Sequence, residues 1–138
     1  MTAKQYLRQA YRLNELINSD LSELEQLRLL STSVSSPNLS GMPSSGTRKT
    51  EPAFARCIQK IIDLEKEVNE EIDRFVDLKK EIRDVINDVE SPNERLLLRL
   101  RYIEFLTWEQ IAEQMSYSVV QVHRIHADAL QNVKVPQS

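Results

Sequence analysis

Residues 107–130 read TWEQIAEQMSYSVVQVHRIHADAL, and their spacing predicts two helices joined by a very short turn. Thr107 is placed to cap the first helix together with Gln110, three residues later, and Ser118 is placed to cap the second together with Gln121. Behind the caps, apolar residues recur at the three-or-four spacing of one helical face: Trp108, Ile111, Ala112 and Met115, then Val122, Ile125, Ala129 and Leu130. This is the pattern of a helix-turn-helix.

The second of these helices is the candidate for contact with another molecule. In a helix-turn-helix, the exposed N-terminal part of the second helix enters the major groove of DNA. We expect Gln121 and Arg124 to contact bases or phosphates, and Ser118 and Tyr117 to contact the DNA backbone. The predicted DNA-contacting residues are Tyr117, Ser118, Val119, Val120, Gln121, His123 and Arg124.

Composition limits the classes that the chain can belong to. Only two glycines and few aromatic residues occur among 138 residues, which favours an all-α fold. The net charge of -3 provides no overall basic field, so any DNA binding must come from a local surface. No apolar run of about 18 residues and no signal-peptide pattern is present, so we expect a cytoplasmic protein with no membrane partner.

Two long helical segments precede the helix-turn-helix. Residues 3–31 carry an apolar stripe at helical spacing, and residues 52–89 carry a second. Between them, residues 31–52 are rich in serine, glycine and proline and predict a flexible linker. The two segments are therefore expected to fold back as an antiparallel, coiled-coil-like hairpin over residues 1–90, followed by a separate helix-turn-helix domain over residues 91–135.

The second long segment predicts a dimer. Its helix would be about 55 Å long, more than a compact domain of this size covers, and its face is wide enough for two neighbours. One neighbour would be the first helix and the other a second copy of the chain. The predicted dimerisation seam consists of Ile58, Ile61, Val68, Ile72, Phe75, Ile82, Ile86 and Val89.

A shorter helix leads into the helix-turn-helix. Ser91 as N-cap and Pro92 at the first helical position predict its start, and it should run to about Phe105. Arg95, Arg99 and Arg101 lie along it. They are candidates for phosphate contacts, or equally a solvated face, because acidic residues balance the basic ones from residue 91 onwards.

Residues 94–134 resemble region 4 of the sigma-70 family, the module that recognises the promoter −35 element. The resemblance rests on Arg95-Leu96-Leu97-Leu98, on Leu100-Arg101-Tyr102, on Thr107-Trp108-Glu109-Gln110-Ile111-Ala112, and on Ser118 with Val122, Ile125 and Ala129-Leu130. Ser116 stands where that family often has glycine in the turn, and Val119 and Val120 stand where sigma factors usually present polar base-reading residues. The resemblance therefore implies the fold and DNA binding, but not a particular target sequence.

Over nearly all its length, the chain is similar to a family of small prophage and mobile-element proteins of Gram-positive bacteria. The similar segments include AKQYLRQAYRLNELINSDLSELEQLR, IQKIIDLEKEVNEEIDRFVDLKKEI and YSVVQVHRIHADAL. That family is grouped with the ArpU and RinA types of phage late-gene transcriptional regulator. The helix-turn-helix and the long second helix together lead to the hypothesis of a dimeric regulator that binds double-stranded DNA in the bacterial host cell. The alternative is an adaptor that docks on host RNA polymerase or another host factor without reading DNA.

Catalysis and metal binding are not expected. The only two histidines, His123 and His126, lie three residues apart on one helix, but no cysteine or carboxylate at ligand spacing completes a metal site. No phosphate loop, nucleophile elbow or pair of catalytic carboxylates occurs in the sequence. The sequence therefore predicts neither an enzyme nor a cofactor.

Overall fold

The computed structural model describes residues 1–35 and 47–137, and its regular secondary structure over these ranges is entirely α-helical. The all-α fold class predicted from composition is thus confirmed. Two compact units divide the chain: unit 1 comprises Met1–Glu15 and Arg74–Ser138, and unit 2 comprises Leu16–Asp73. The helices are α1 (Ala3–Leu7), α2 (Gln9–Ser35), α3 (Thr47–Asn87), α4 (Pro92–Tyr102), α5 (Trp108–Met115) and α6 (Val119–Gln131).

The first predicted helix is interrupted at one residue. Arg8 ends α1, and α2 begins directly after it. Backbone hydrogen bonds from Arg8 N–H to the Lys4 carbonyl and from Arg12 N–H to the Arg8 carbonyl, both 3.0 Å, keep the helical ladder across this position. The apolar stripe is narrower than predicted: Tyr6, Leu7, Ala10, Leu13, Ile17 and Leu24 are buried, whereas Leu16, Leu21 and Leu30 are exposed.

The segment predicted as a linker, residues 31–52, is helical at both ends. Helix α2 continues to Ser35 and α3 begins at Thr47. The middle of the predicted linker, residues 36–46, lies outside the described residues. The helices are therefore longer than their apolar patterns indicated.

The main core of unit 1 joins the start of the chain to its C-terminal helices. Tyr6 and Leu7 from α1 pack with the end of α3 and with the inner faces of α4 and α6. Tyr6 also donates a 2.8 Å hydrogen bond from its hydroxyl to the Glu81 carboxylate on α3. The buried members are Tyr6, Leu7, Ala10, Ile82, Val85, Ile86, Val89, Leu98, Tyr102, Ile103, Ala129 and Val133.

Unit 2 has its own small core, formed where α2 and α3 pack together. Leu24 lies against a row of α3 side chains at helical spacing, and the Cys57 thiol donates to the Leu27 carbonyl at 3.4 Å. An exposed ion pair joins Arg28 to Glu65 at 3.0 Å, which adds little because both groups are well solvated. The row on α3 consists of Cys57, Ile61, Leu64 and Val68.

The predicted dimerisation seam is occupied within a single chain. Ile61 and Val68 are buried in the core of unit 2, and Ile82, Ile86 and Val89 are buried in the core of unit 1. Of the others, Ile58 and Phe75 are partly buried and Ile72 is 38% exposed. Side chains of α1, α2, α4 and α6 cover the buried ones. Five of the eight seam residues are thus buried within one chain, and the seam as a dimer contact stays a prediction.

The predicted domain boundary at residue 90 also differs from the structure. The first 15 residues and the last turns of α3 belong to the same compact unit as the helix-turn-helix. Their apolar side chains share one core with α4 and α6. The C-terminal domain is therefore larger than residues 91–135, and the N-terminus is part of it.

Candidate nucleic-acid interface

Both predicted helix caps of the helix-turn-helix are present. Gln110 N–H donates to Thr107 Oγ1 at 3.2 Å, and Thr107 N–H donates back to Gln110 Oε1 at 2.9 Å. The second pair repeats this arrangement, with Gln121 N–H to Ser118 Oγ at 3.2 Å and Ser118 N–H to Gln121 Oε1 at 3.1 Å. Each pair satisfies N–H groups that a helix start leaves without partners, and so fixes where α5 and α6 begin.

The turn between α5 and α6 depends on one residue in an unusual conformation. Ser116 adopts the left-handed region, with φ 61° and ψ 40°. The following N–H, that of Tyr117, donates to the Ala112 carbonyl at 2.9 Å and closes the turn. A residue with a Cβ atom loses about 1–2 kcal/mol in this conformation, so the turn geometry is held by the packing around it.

A compact apolar core sets the angle between the two helices. Leu97 and Leu100 from α4 meet Ile111 and Ala112 from α5 and Val122 from α6, all of them buried. The partly buried residues around this core are Leu106, Trp108, Met115, Tyr117, Val119 and Ile125. Because three helices contribute to it, α6 is held rigidly and presents one face to solvent.

The exposed face of α6 carries most of the predicted contact residues. Val120 is 61% exposed, and Gln121, His123 and Arg124 are exposed beside it. Ala127, which the sequence interpretation did not include, is exposed one turn further on. A helix of this kind, docked on a rigid core with its outer face open, has the geometry that helix-turn-helix proteins use in the major groove.

Residues 91–135 match the family model Sigma-70, region 4. This match confirms the sigma region 4-like helix-turn-helix expected from the sequence, over 45 of the 138 residues. Searches of curated proteins and of solved structures found no match to the chain. Within the described ranges, no helix is long and apolar enough to cross a membrane.

Two of the predicted contact residues turn partly inward in the sigma region 4-like domain. Val119 is partly buried against the core between α5 and α6, so it does not lie on the outer face as predicted. Tyr117 packs against the same core, and its hydroxyl accepts a 3.2 Å hydrogen bond from Asn93 Nδ2. The outward position of Val120 and the inward position of Val119 follow from their 100° separation around the helix.

The two polar residues of the sigma region 4-like domain that were predicted to contact bases or phosphates differ in how free their side chains are. The Oε1 atom of Gln121 is held in the Ser118 cap, so this side chain would approach DNA through its amide NH₂ group. Arg124 is exposed on the outer face of α6. Arg124 is therefore the stronger candidate for a direct contact to a base or a phosphate.

The two histidines have different environments. His126 is 7% exposed, and its Nε2 atom lies 2.6 Å from the Tyr102 hydroxyl. The pKa of His126 is lowered to about 4, chiefly by burial and in addition by the positive charges of Lys4 and Arg101. His123 is exposed, and its ring lies 4.7 Å from the Trp108 ring. His126 is therefore a core residue, and only His123 lies at the candidate interface.

The structure brings only one of the three predicted phosphate-binding arginines against the helix-turn-helix. The Arg101 guanidinium lies 4.1 Å from the centre of the Trp108 ring, and one of its N–H groups donates to the Leu106 carbonyl at 2.9 Å. Arg99 instead donates to Asn87 Oδ1 at 3.4 Å, beside the end of α3. Arg95, partly buried, lies one turn before Arg99 on the same side of α4.

Two basic residues near this site were missed by the sequence interpretation. Lys4 and Arg8, from α1 and its C-cap, line a cavity together with Arg101 and Trp108. Helical periodicity assigned α1 to a hairpin and gave no indication that it packs beside the sigma region 4-like domain. A local signal did exist, since Lys4, Arg8 and Arg12 precede the first acidic residue of the chain, Glu15.

Proposed function

We propose that the protein is a sequence-specific DNA-binding transcription regulator. The observation that carries this proposal is the doubly capped helix pair on a rigid core, within a segment that matches sigma-70 region 4. The bound form would place α6 in the major groove, with Ser118 at the DNA backbone and Arg124 at a base edge. Val120 would lie against apolar groups such as thymine methyls, which an exposed valine can recognise.

The proposed setting is a phage or mobile element in a bacterial host. It is supported by the resemblance of nearly the whole chain to small prophage proteins of the late-regulator type. In that setting, the regulator would act on promoters of its own element. DNA of that element is therefore the first DNA to test for binding.

The decisive experiment is a binding selection on fragments of the protein's own genetic element, followed by footprinting of the selected site. Replacing Arg124 by alanine should weaken binding by about 1–3 kcal/mol and relax the preference at one base pair, if Arg124 contacts a base. Arg83→Ala is the matched control, because Arg83 is also exposed in unit 1 but lies on α3. A wild-type chain that selects no fragment, or an Arg124→Ala footprint identical to that of wild type, would refute the proposal.

A second candidate function is docking on host RNA polymerase or another host factor. Val120 favours it, because 61% of this apolar residue is exposed at the centre of the α6 face. Val120→Lys should abolish a protein contact while leaving phosphate-driven DNA binding intact or stronger. If purified polymerase binds the wild type and the variant equally, or binds neither, this candidate is removed.

We also propose a homodimer, but on residues other than the predicted seam. Unit 2 leaves apolar side chains exposed, including Leu16 at 50%, Leu30 at 54% and Ile62 at 52%. A second copy of the chain packed on unit 2 would remove this apolar surface from water. Light scattering should give twice the chain mass, and Ile62→Glu should reduce it to the monomer. A monomeric wild type at micromolar concentration would exclude the dimer.

A further inference from the structure

A basic and aromatic cavity lies within unit 1, next to the helix-turn-helix. It has a volume of about 180 Å³, which is enough for a phosphate group with a few waters. Three cationic side chains and four aromatic rings form its walls, and no carboxylate lines it. The lining residues are Lys4, Arg8, Tyr11, Arg101, Tyr102, Phe105 and Trp108.

The basic residues on the first helices are arranged at a cost to helix stability. Lys4, Arg8 and Arg12 follow one another at intervals of four residues, so like charges stand above each other on one helical face. Lys4 also lies near the positive end of α1, which has no acidic residue in its first turn. The nearest acid in sequence, Glu15, acts on Tyr11, whose pKa it raises. An anion bound among these cations would offset the repulsion.

The neighbouring titratable groups respond to this positive charge. Lys4 and Arg101 both contribute to the lowered pKa of His126, after burial. Arg101 and Arg8 also lower the pKa of Tyr102. Burial has the larger, opposite effect, so the pKa of Tyr102 is raised to about 12. Cations from α1 and α4 therefore converge on one place in the folded chain.

Trp108 belongs to the cavity wall and also contacts a residue of α6. The Trp108 ring lines the cavity together with Arg101, and the centre of the His123 ring lies 4.7 Å from the centre of the Trp108 ring. In a helix-turn-helix, the first helix of the pair, here α5, crosses the DNA backbone. A duplex contacted by His123 and Arg124 would thus run past the cavity mouth.

The balanced charge of the matched segment favours a further source of positive charge outside it. Residues 91–135 contain five basic and five acidic residues, so they supply no net attraction for DNA. Most non-specific DNA affinity comes from cations placed against phosphates. The basic residues at the start of the chain can supply what the matched segment lacks.

We propose that Lys4, Arg8 and Arg101 form a phosphate-binding pocket, and that it holds a backbone phosphate of the duplex whose major groove α6 enters. This inference rests on the proposed DNA-binding function and extends the interface beyond the sigma region 4-like segment. Lys4 and Arg8 supply charge and N–H donors from the N-terminal helix. Arg101, held by Trp108 and the Leu106 carbonyl, supplies the remaining N–H groups of its guanidinium.

The test uses the full chain, a labelled 30-base-pair duplex of mixed sequence, and potassium chloride from about 0.05 to 0.2 M. Each phosphate contact contributes about −0.9 to the slope of log affinity against log salt. Because Lys4 and Arg8 share one phosphate in this proposal, the double variant Lys4→Gln/Arg8→Gln should flatten the slope by about 0.9 and weaken binding roughly 5-fold near 0.15 M salt. The charge-matched control is Lys80→Gln/Arg83→Gln, on exposed positions of α3 in the same unit.

A second variant separates DNA contact from folding. Arg8→Glu would place an acid between Lys4 and Arg12 and relieve the repulsion along that face. Its thermal stability should equal or exceed that of wild type, while its affinity for the duplex should fall further than that of Arg8→Gln. Stability and affinity falling together would indicate a merely structural role and overturn the proposal.

A titration with inorganic phosphate distinguishes a pocket for a free phosphate compound from a pocket for DNA. Trp108 is the only tryptophan, so its fluorescence reports on the pocket directly. If millimolar phosphate changes this fluorescence while the double variant keeps the wild-type salt slope, the pocket serves a small phosphorylated compound and the proposal is overturned. A slope equal to that of the control variant overturns it also. If the wild type itself binds no duplex, the proposed function fails first, and the two failures are thereby distinguished.

Discussion

Mild acid should destabilise unit 1 because His126 must accept a proton when the unit unfolds. In the folded chain, burial holds the pKa of His126 at about 4, against 6.5 for an unperturbed histidine. At a pH between these two pKa values, His126 is protonated in the unfolded chain and neutral in the folded chain. Stability is complete above the unfolded pKa and is lost as the pH falls below it, down to the folded value.

The size of the effect follows from the two pKa values. Between pH 7.5 and 5.5 the loss is about 1.3 kcal/mol, and it reaches roughly 3 kcal/mol below pH 4. This window lies above the range where most carboxylates titrate, so few other groups contribute. Unit 1 has about 80 residues, and for a domain of this size a loss of about 1.3 kcal/mol lowers the melting temperature by roughly 5–10 °C.

The assay is thermal unfolding followed by circular dichroism at pH 7.5, 6.5 and 5.5. His123→Gln is the control, because it removes the exposed histidine of α6 and keeps the buried one. His126→Gln should lower stability at pH 7.5, through lost contacts with Tyr102 and Trp108, but flatten the pH dependence. A wild type that melts at the same temperature across this range would refute the reasoning, and so would a His126→Gln variant that keeps the wild-type slope.

Three further substitutions test the packing and the turn of the helix-turn-helix. Leu97→Ala should cost about 2–5 kcal/mol in chemical denaturation, since Leu97 is fully buried; a loss below about 1 kcal/mol would contradict the core described above. Ser118→Ala should cost about 1 kcal/mol by removing the α6 cap, and Ser91→Ala on α4 is its comparison. Ser116→Gly should stabilise the protein by about 0.5 kcal/mol, because relief of the left-handed strain exceeds the added chain entropy; destabilisation would show that the serine is not strained.

Local signals carried the sequence prediction furthest. The capping pairs at Thr107 and Ser118 join residues that are three positions apart, so their hydrogen bonds could be predicted from the sequence alone. The same helical spacing indicated that His126 packs, because it lies four residues after Val122 and three before Ala129 on the buried face. The confirmed features of the site all share this short range.

The packing of helices that are distant in sequence could not be predicted from the sequence. An apolar face on α3 indicates that something covers it, but not what does. The sequence interpretation assigned Ile82 and Val89 to a second chain, whereas the structure covers them with α1, α4 and α6. The same uncertainty hid the place of Lys4 and Arg8, since their proximity to Trp108 exists only once α1 has packed.

The shared core also decides how the DNA-binding proposals have to be tested. Leu98 and Ala129 of the sigma region 4-like segment are buried in one core with Leu7 and Ile86, which lie outside it. A fragment limited to residues 91–135 would expose that apolar surface and lose stability for reasons unrelated to DNA. Weak binding by such a fragment would thus say nothing about Lys4 or Arg8. Substitutions of exposed basic residues in the full chain keep that core intact while they change the contacts to phosphate.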